Sequence, residues 1–273
     1  MNDLLTVLVT GSSTGIGFAT ATYLAANDIH VYAGARKDED LEKLGAFENI
    51  TPVKLDVTAD HNVKAVYETI KEDGNKLDVL INNAGIAIAG PLADVSNDDM
   101  KKQFEVNLLG VHRVTKQFLP MIIQNKGRIV MMSSDSGFFA TPFFGPYCSS
   151  KFALEGYSDS LRREMNLIGI KVIIIRPGRI TTPIWNKGKK FLKMYDDSIF
   201  KDKAQKIGKY AINKGNKEGL PPIDVAKVIY KAITVKKPKI HYLIAPSTFK
   251  YKLVKKLPAS WVDSLVQKEL EKL

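Results

Sequence analysis

The chain has 273 residues, 45% hydrophobic and 25% charged, an ordinary globular composition that argues against a disordered, fibrous or disulfide-scaffolded protein. Its one cysteine, Cys148, excludes an intrachain disulfide and points to a reducing, cytoplasmic setting. The net charge of +11 is lopsided: residues 1–185 hold 19 Lys and Arg against 21 Asp and Glu, whereas residues 186–273 hold 21 Lys, no Arg and 8 acids.

The first apolar run, Leu4–Thr10, is too short to cross a bilayer and lacks a basic flank, so it reads as a strand and no signal peptide is expected. Further strands are predicted at Ile29–Ala33, Thr51–Leu55, Val79–Asn82, Arg128–Met132, Lys171–Arg176 and His241–Ala245. Most are continuous apolar runs, the pattern of parallel strands covered on both faces. Helices are predicted at Gly15–Asn27, His61–Asp73 (capped by Asp60 or Thr58), Asp99–Asn125, Tyr147–Ile168 and Asp224–Thr234. The alternation predicts an α/β fold: one doubly wound parallel sheet of about seven strands with helices on both faces. Residues 185–220 break the rhythm and are read as a mobile helical cap over the carboxyl ends of the strands. No domain boundary is visible, so the chain is taken as one domain with a basic extension at about 246–273.

Gly11, Ser13, Gly15, Ile16 and Gly17 belong to a G-x3-G-x-G loop between the first strand and the first helix. Such a turn lets backbone come close to a pyrophosphate, and the helix N-terminus offers unpaired N–H groups. Where NAD sites usually place a carboxylate after the second strand, Ala35 is followed by Arg36 and Lys37. A guanidinium pairs with a 2′-phosphate, so NADP(H) is expected over NAD(H).

Tyr147 and Lys151 lie one helical turn apart, but the chain holds four Tyr-x3-Lys pairs, the others being Tyr67/Lys71, Tyr210/Lys214 and Tyr251/Lys255. Only Tyr147 has a hydroxyl-bearing residue, Ser134, at the end of the preceding strand. With the glycine loop, Leu55-Asp56-Val57, Asn82-Asn83-Ala84-Gly85, Asn107 and Pro177-Gly178-x3-Thr182 in order along residues 4–182, the chain resembles the one-domain branch of the short-chain dehydrogenase/reductase family. The resemblance implies a Rossmann-type fold and an oxidoreductase that interconverts alcohol and carbonyl. Tyr147 is then the general acid or base, Lys151 the cation that lowers its pKa and holds the nicotinamide ribose, Ser134 the hydrogen-bond donor to the substrate oxygen, and Asn107 the holder of a relay water. It also implies Asp56 and Val57 near the adenine, Asn83, Ala84 and Gly85 near its ribose, and Pro177, Gly178, Ile180 and Thr182 near the carboxamide. Two departures stand out: Thr14 replaces a basic residue frequent in NADP-preferring relatives, and Cys148-Ser149-Ser150 replaces a more usual run of small residues, with little consequence expected.

Phe138, Phe139, Phe143 and Phe144, with Pro183-Ile184-Trp185, suggest an apolar pocket. Together with Lys236-Lys-Pro-Lys239, the Thr182–Trp185 run looks like the retinol and hydroxysteroid dehydrogenase branch. The expected substrate is a lipophilic alcohol or carbonyl compound contacting Ser134, Tyr147, Phe144 and Trp185. No histidine spacing fits a metal site, and a lysine tail without Arg does not suit specific nucleic-acid readout. The family resemblance implies a homodimer or homotetramer. Two other readings remain: a catalytically silent NADP-binding regulator, and a protein whose basic tail, with Trp261, Val262, Leu265 and Val266, contacts an anionic membrane surface, although a helix packed on its own domain is the preferred reading of that segment.

Overall fold

The computed structural model describes residues 4–74, 76–247 and 257–272. Seven strands appear where apolar runs predict them: β1 (Thr6–Val9), β2 (His30–Ala35), β3 (Ile50–Lys54), β4 (Val79–Asn82), β5 (Arg128–Met132), β6 (Lys171–Pro177) and β7 (His241–Ile244). All pairings are parallel, in the order β3-β2-β1-β4-β5-β6-β7. The order reverses between β1 and β4, which opens a crevice at the carboxyl ends of those strands.

Period-two alternation sends Val7 and Val9 to one face and Leu8 to the other, each fully buried. On the first face the core includes Leu24 of α1 (Gly15–Ala25), Leu44 of α2 (Asp38–Gly45) and Val225 and Ile229 of α9 (Pro222–Thr234). On the second it takes Val63 and Ile70 of α3 (Asp60–Glu72), Phe118 and Ile122 of α5 (Gly110–Gln124) and Leu154 of α6 (Gly145–Asn166). Two-sided burial is why the central strands β1, β4 and β5 carry no polar stripe.

Several local readings change. Helix α2 was not expected. Helix α3 is capped at Ala59, without a side-chain bond, because Asp60 is already helical and Thr58 bonds Asp56 instead. The helix predicted at 99–125 begins at Asn97 as α4 (Asn97–Phe104) and passes through a five-residue π turn, Glu105–Leu109, before α5. Gly110 follows that turn because a Cβ there would lie 2.8 Å from Val57 Cγ2.

Residues 184–218 form α7 (Ile184–Lys187), a 3-10 turn (Gly188–Lys193) and α8 (Lys201–Glu218). A parallel bridge between Ile180 and Leu220 closes the base of this excursion, with Thr181 N–H donating to Leu220 O (2.9 Å) and Leu220 N–H to Arg179 O (3.0 Å). Helix α10 (Ala259–Glu271) carries Trp261, Val262, Leu265 and Val266; none of its residues is fully buried, Trp261 and Leu265 are exposed, and Val262, Val266 and Leu270 share one partly buried face. Tyr251 and Lys255 lie outside the described residues. No helix among the described residues is long and apolar enough to cross a membrane, and no group of side chains there could hold a metal ion.

Candidate active site

The glycine loop is shaped by contacts that exclude side chains. Gly11 and Gly15 have φ of +69° and +60°, the left-handed region that favours glycine. A Cβ on Gly17 would lie 2.1 Å from Gly11 O, and one on Gly11 would lie 2.8 Å from Ala84 Cα. Gly15 faces Thr182, 3.2 Å from where its Cβ would be, so the loop and the segment after β6 confront each other across a narrow cleft. Asn83 holds the loop: its amide donates to Thr10 O (2.9 Å) and Gly11 O (3.1 Å). Thr10 Oγ1 accepts from the N–H groups of Asn83 (3.0 Å) and Ala84 (2.9 Å), and Ser12 Oγ donates to Val9 O (2.9 Å). Helix α1 starts behind the loop with no acidic side chain in its first turn, leaving its orphan N–H groups and positive dipole end for an anion. Ser13 and Ile16 belong to this same turn.

Arg36 follows the last residue of β2, two-thirds exposed, with Nη1 3.9 Å from Asp56 Oδ2. Burial raises the Asp56 carboxyl, but hydrogen bonds from Thr58 and the charges of Arg36 and Arg113 hold it below its ordinary value. Val57, next in line, is buried, and Arg113 Nη1 donates to its carbonyl (2.8 Å).

Ser134 follows β5, buried, with Oγ 2.8 Å from Asp135 Oδ1 and 3.3 Å from Pro177 O, and it accepts the Ser136 N–H (3.2 Å). Tyr147 lies in the first turn of α6, which Gly145-Pro146 opens with a residue pre-set for a helix start. Burial pushes the Tyr147 phenol above its ordinary value and the nearby Asp135 carboxylate adds to this, while a hydrogen bond with Ser134 acts against it. One turn later Lys151, buried, donates to Met132 O (2.7 Å), and its Nζ stands 5.7 Å from the centre of the Tyr147 ring. Burial lowers Lys151 to about 8, with Glu155 opposing the shift.

Asn107 sits inside the π turn, a distortion often kept at functional sites. Its side chain accepts Ile86 N–H (2.9 Å) and donates to Ile86 O (3.0 Å) and Ser150 Oγ (3.1 Å). Ser150 Oγ in turn donates to Tyr147 O (2.8 Å), and Gln103 Nε2 reaches both Ile86 O (2.9 Å) and Ser150 Oγ (3.4 Å). This fully buried trio of Gln103, Asn107 and Ser150 fastens the loop after β4, including Gly85, to the helix bearing Tyr147 and Lys151. Sequence reasoning missed Gln103 and treated Ser150 as inconsequential; Gln103 and Asn107 come from α4 and the π turn after it, and Ser150 from α6.

It also missed Glu155, one turn beyond Lys151. Its carboxylate accepts from Ser133 Oγ, from Arg176 Nε (2.9 Å) and from Arg176 Nη2 (2.6 Å). The residue before Ser134 is thereby tied to α6 and β6.

Pro177 ends β6, and Gly178 N–H donates to Ile244 O (2.8 Å). Ile180 is buried, and its carbonyl accepts the Trp185 indole N–H (2.7 Å). The Trp185 ring lies on Gly215 of α8, where a Cβ would be 2.3 Å from Cδ2. Phe144 stacks obliquely on Tyr147 (4.6 Å between centres), and Phe143 meets Phe200 edge-on (5.9 Å). The Tyr195 ring covers Gly90, which itself bridges to Phe144, and Ser198 Oγ donates to Asp94 Oδ2. Of the other Tyr/Lys pairs, Tyr210 and Lys214 bond each other on exposed α8, and Tyr67 packs against Phe118.

Comparison with known proteins agrees with this fold. The short chain dehydrogenase family model matches residues 5–192. An NADPH-dependent 3-dehydrocapnine reductase of Ornithobacterium rhinotracheale is 35% identical, over 97% of each chain. A short-chain dehydrogenase structure from Streptomyces avermitilis superposes with a TM-score of 0.80 at 25% identity, covering 99% of this chain and 96% of that one. One from Burkholderia phymatum in complex with NAD gives 0.77 at 22% identity, over 88% and 89%. A seven-stranded Rossmann-like sheet, a glycine loop at its first turn and a match over two-thirds of the sequence place this chain in the short-chain dehydrogenase family of oxidoreductases.

Proposed function

We propose that the protein reduces a carbonyl group on a lipophilic small molecule, or oxidises the corresponding alcohol, with NADP(H). The observation that carries this reading is the convergence of Ser134, Tyr147 and Lys151 beside a glycine cradle. The cradle suits a dinucleotide: Gly11, Gly15 and Gly17 sit where side chains would fill the space, and the α1 dipole faces it. Gly11, Ser13, Gly15, Ile16 and Gly17 would hold the pyrophosphate, and Arg36 the 2′-phosphate. Asp56 and Val57 would border the adenine, Ala84 and Gly85 its ribose, and Pro177, Gly178, Ile180 and Thr182 the carboxamide. Asn83 supports the cradle from behind through its bonds to Thr10 and Gly11. When bound, the nicotinamide supplies or accepts the hydride.

The residues do the rest. Ser134 Oγ donates to the substrate oxygen as negative charge grows on it. Tyr147, kept protonated by its surroundings, donates the phenolic proton to that oxygen in reduction. In oxidation it must act as a base, and the Lys151 ammonium lowers the cost of the phenolate. Asn107 and Ser150 position Tyr147 through its carbonyl, and the carbonyl of Met132 orients Lys151. Phe144 stacks against the phenol and Phe143 and Phe200 extend the apolar wall; Trp185 anchors the base of the 184–218 segment, which serves as the substrate cap. Leu109 and Phe152, apolar and nearly half exposed beside α5 and on α6, support a homo-oligomer.

A panel of apolar ketones and aldehydes, followed by nicotinamide absorbance with NADPH and with NADH, tests the proposal. NADPH is expected to give the lower KM. Tyr147→Phe is expected to cut kcat by about 10²–10⁴-fold with cofactor binding intact. Undiminished turnover in that variant would overturn the mechanism, and equal use of both nicotinamides would overturn the role of Arg36.

A further inference from the structure

Outside the site just described, the 3-10 turn, Asp196 and α8 line a solvent-open pocket of about 760 Å³, within the size range of small-molecule sites. Its apolar lining includes Leu192 and Ile212, and its charged lining is Lys189, Lys201, Lys209 and Asp196. Gly208 permits the close approach that shapes it, because a Cβ there would lie 2.5 Å from Leu192 Cδ2. Asp196 is already engaged, accepting from Gln205 Nε2 (3.1 Å) and pairing with Lys201 at 3.8 Å. Lys189 and Lys209 make no ion pair among the described residues, so the cavity holds an excess of positive charge over an apolar surface.

The same stretch of chain packs on residues that adjoin Phe144 and Tyr147. Between the cavity residues Asp196 and Lys201, Ser198 reaches Asp94 and Phe200 meets Phe143, while Tyr195 covers Gly90. Gly90 bridges to Phe144, which stacks on Tyr147.

We infer that this cavity receives an acidic end group, a carboxylate or phosphate, of an amphiphilic substrate whose carbonyl is reduced at Ser134 and Tyr147. The inference rests on the carbonyl-reductase reading for its second half only. Apolar body and anion are both required: Leu192 and Ile212 offer surface to the chain, Lys189 and Lys209 offer charge to its end.

The test compares two ketones of equal chain length, one ending in a carboxylate and the other in its methyl ester. At low salt the acid is expected to have a KM about tenfold lower with kcat similar, and the advantage shrinks as salt screens exposed charge. Lys189→Ala/Lys209→Ala removes two exposed side chains, so the fold is retained; it is expected to abolish the preference by raising KM alone. No preference for the acid, or a preference that survives the double variant, overturns the inference. Should neither ketone turn over, the reductase reading fails by itself, and calorimetric titration with palmitate decides the cavity. Binding that the double variant loses supports the inference; absent or unaltered binding overturns it. Inorganic phosphate is the remaining arm: equally tight binding of that ion overturns the amphiphile in favour of a simple anion site.

Discussion

Removing the carboxylate of Glu155 tests whether the groups behind Ser134 and Lys151 are held by one ionic contact. Its two oxygens accept from both Arg176 Nε and Nη2, at 2.9 and 2.6 Å, and from the Ser133 hydroxyl. The Arg176 and Glu155 side chains are only 16% and 12% exposed, so Glu155→Ala strands a guanidinium in a nearly dry site. Breaking one partner of such a pair costs about 3–5 kcal/mol. At roughly 2–4 °C per kcal/mol for a domain of this size, the melting temperature is expected to drop by about 6–20 °C. Glu155→Gln keeps the shape and one acceptor, so it separates charge from packing. Since Glu155 opposes the burial that lowers Lys151, the glutamine variant lets the ammonium titrate at still lower pH. If the ammonium supports Tyr147, the alkaline limb of kcat/KM moves toward acid in Glu155→Gln. Differential scanning calorimetry and a pH–rate profile measure the two effects. A melting temperature within about 2 °C of the parent for Glu155→Ala, or an unmoved alkaline limb in a folded Glu155→Gln, would refute the argument.

Two further outcomes follow from the geometry. Lys151 titrates at about 8 in the fold against an ordinary 10.5, so between these values the unfolded chain holds the extra proton and stability rises with pH. From roughly pH 7.5 to 9.5 the gain is about 2 kcal/mol, a window that ends before the raised Tyr147 phenol contributes its opposite effect above its ordinary value of 10. Urea unfolding is expected to show this slope and Lys151→Met to lack it; equal slopes would contradict the assignment. Gly17→Ala places a Cβ 2.1 Å from Gly11 O and 2.5 Å from Asn83 Nδ2, so the loop must move. NADPH affinity by fluorescence titration is expected to fall at least about tenfold, roughly 1.4 kcal/mol, and an unchanged Kd would show that the loop is not the cradle.

How far each feature could be read in advance depends on whether its physics is local. Strand β5 was legible because burial on both faces leaves a continuous apolar run, Ile129 to Met132. Helix α2 was not, since Asp38–Gly45 offers only Leu41 and Leu44 to the core and otherwise reads as a charged turn. Gly208 and Gly215 weigh against a helix by propensity, yet they lie within α8 because Leu192 and Trp185 occupy the space their side chains would need. The Tyr147/Lys151 spacing was shared with three other pairs, and what separates it is Ser134, supplied by a different element. The supports of that pair are more remote still. Asn107 reaches Ser150 across 43 residues and Glu155 reaches Arg176 across 21, and Asn107 lies in a π turn that no periodicity announces. A reactive group leaves a sequence signature because its chemistry restricts the residue type. The groups that aim it need only a donor or acceptor at the right point in space, so serine, glutamine and glutamate there look like any others until the chain is folded. For Ser150 this has a direct consequence: its hydroxyl links the Asn107 amide to the Tyr147 carbonyl, and its role follows from that placement, whatever its side chain resembles among small residues.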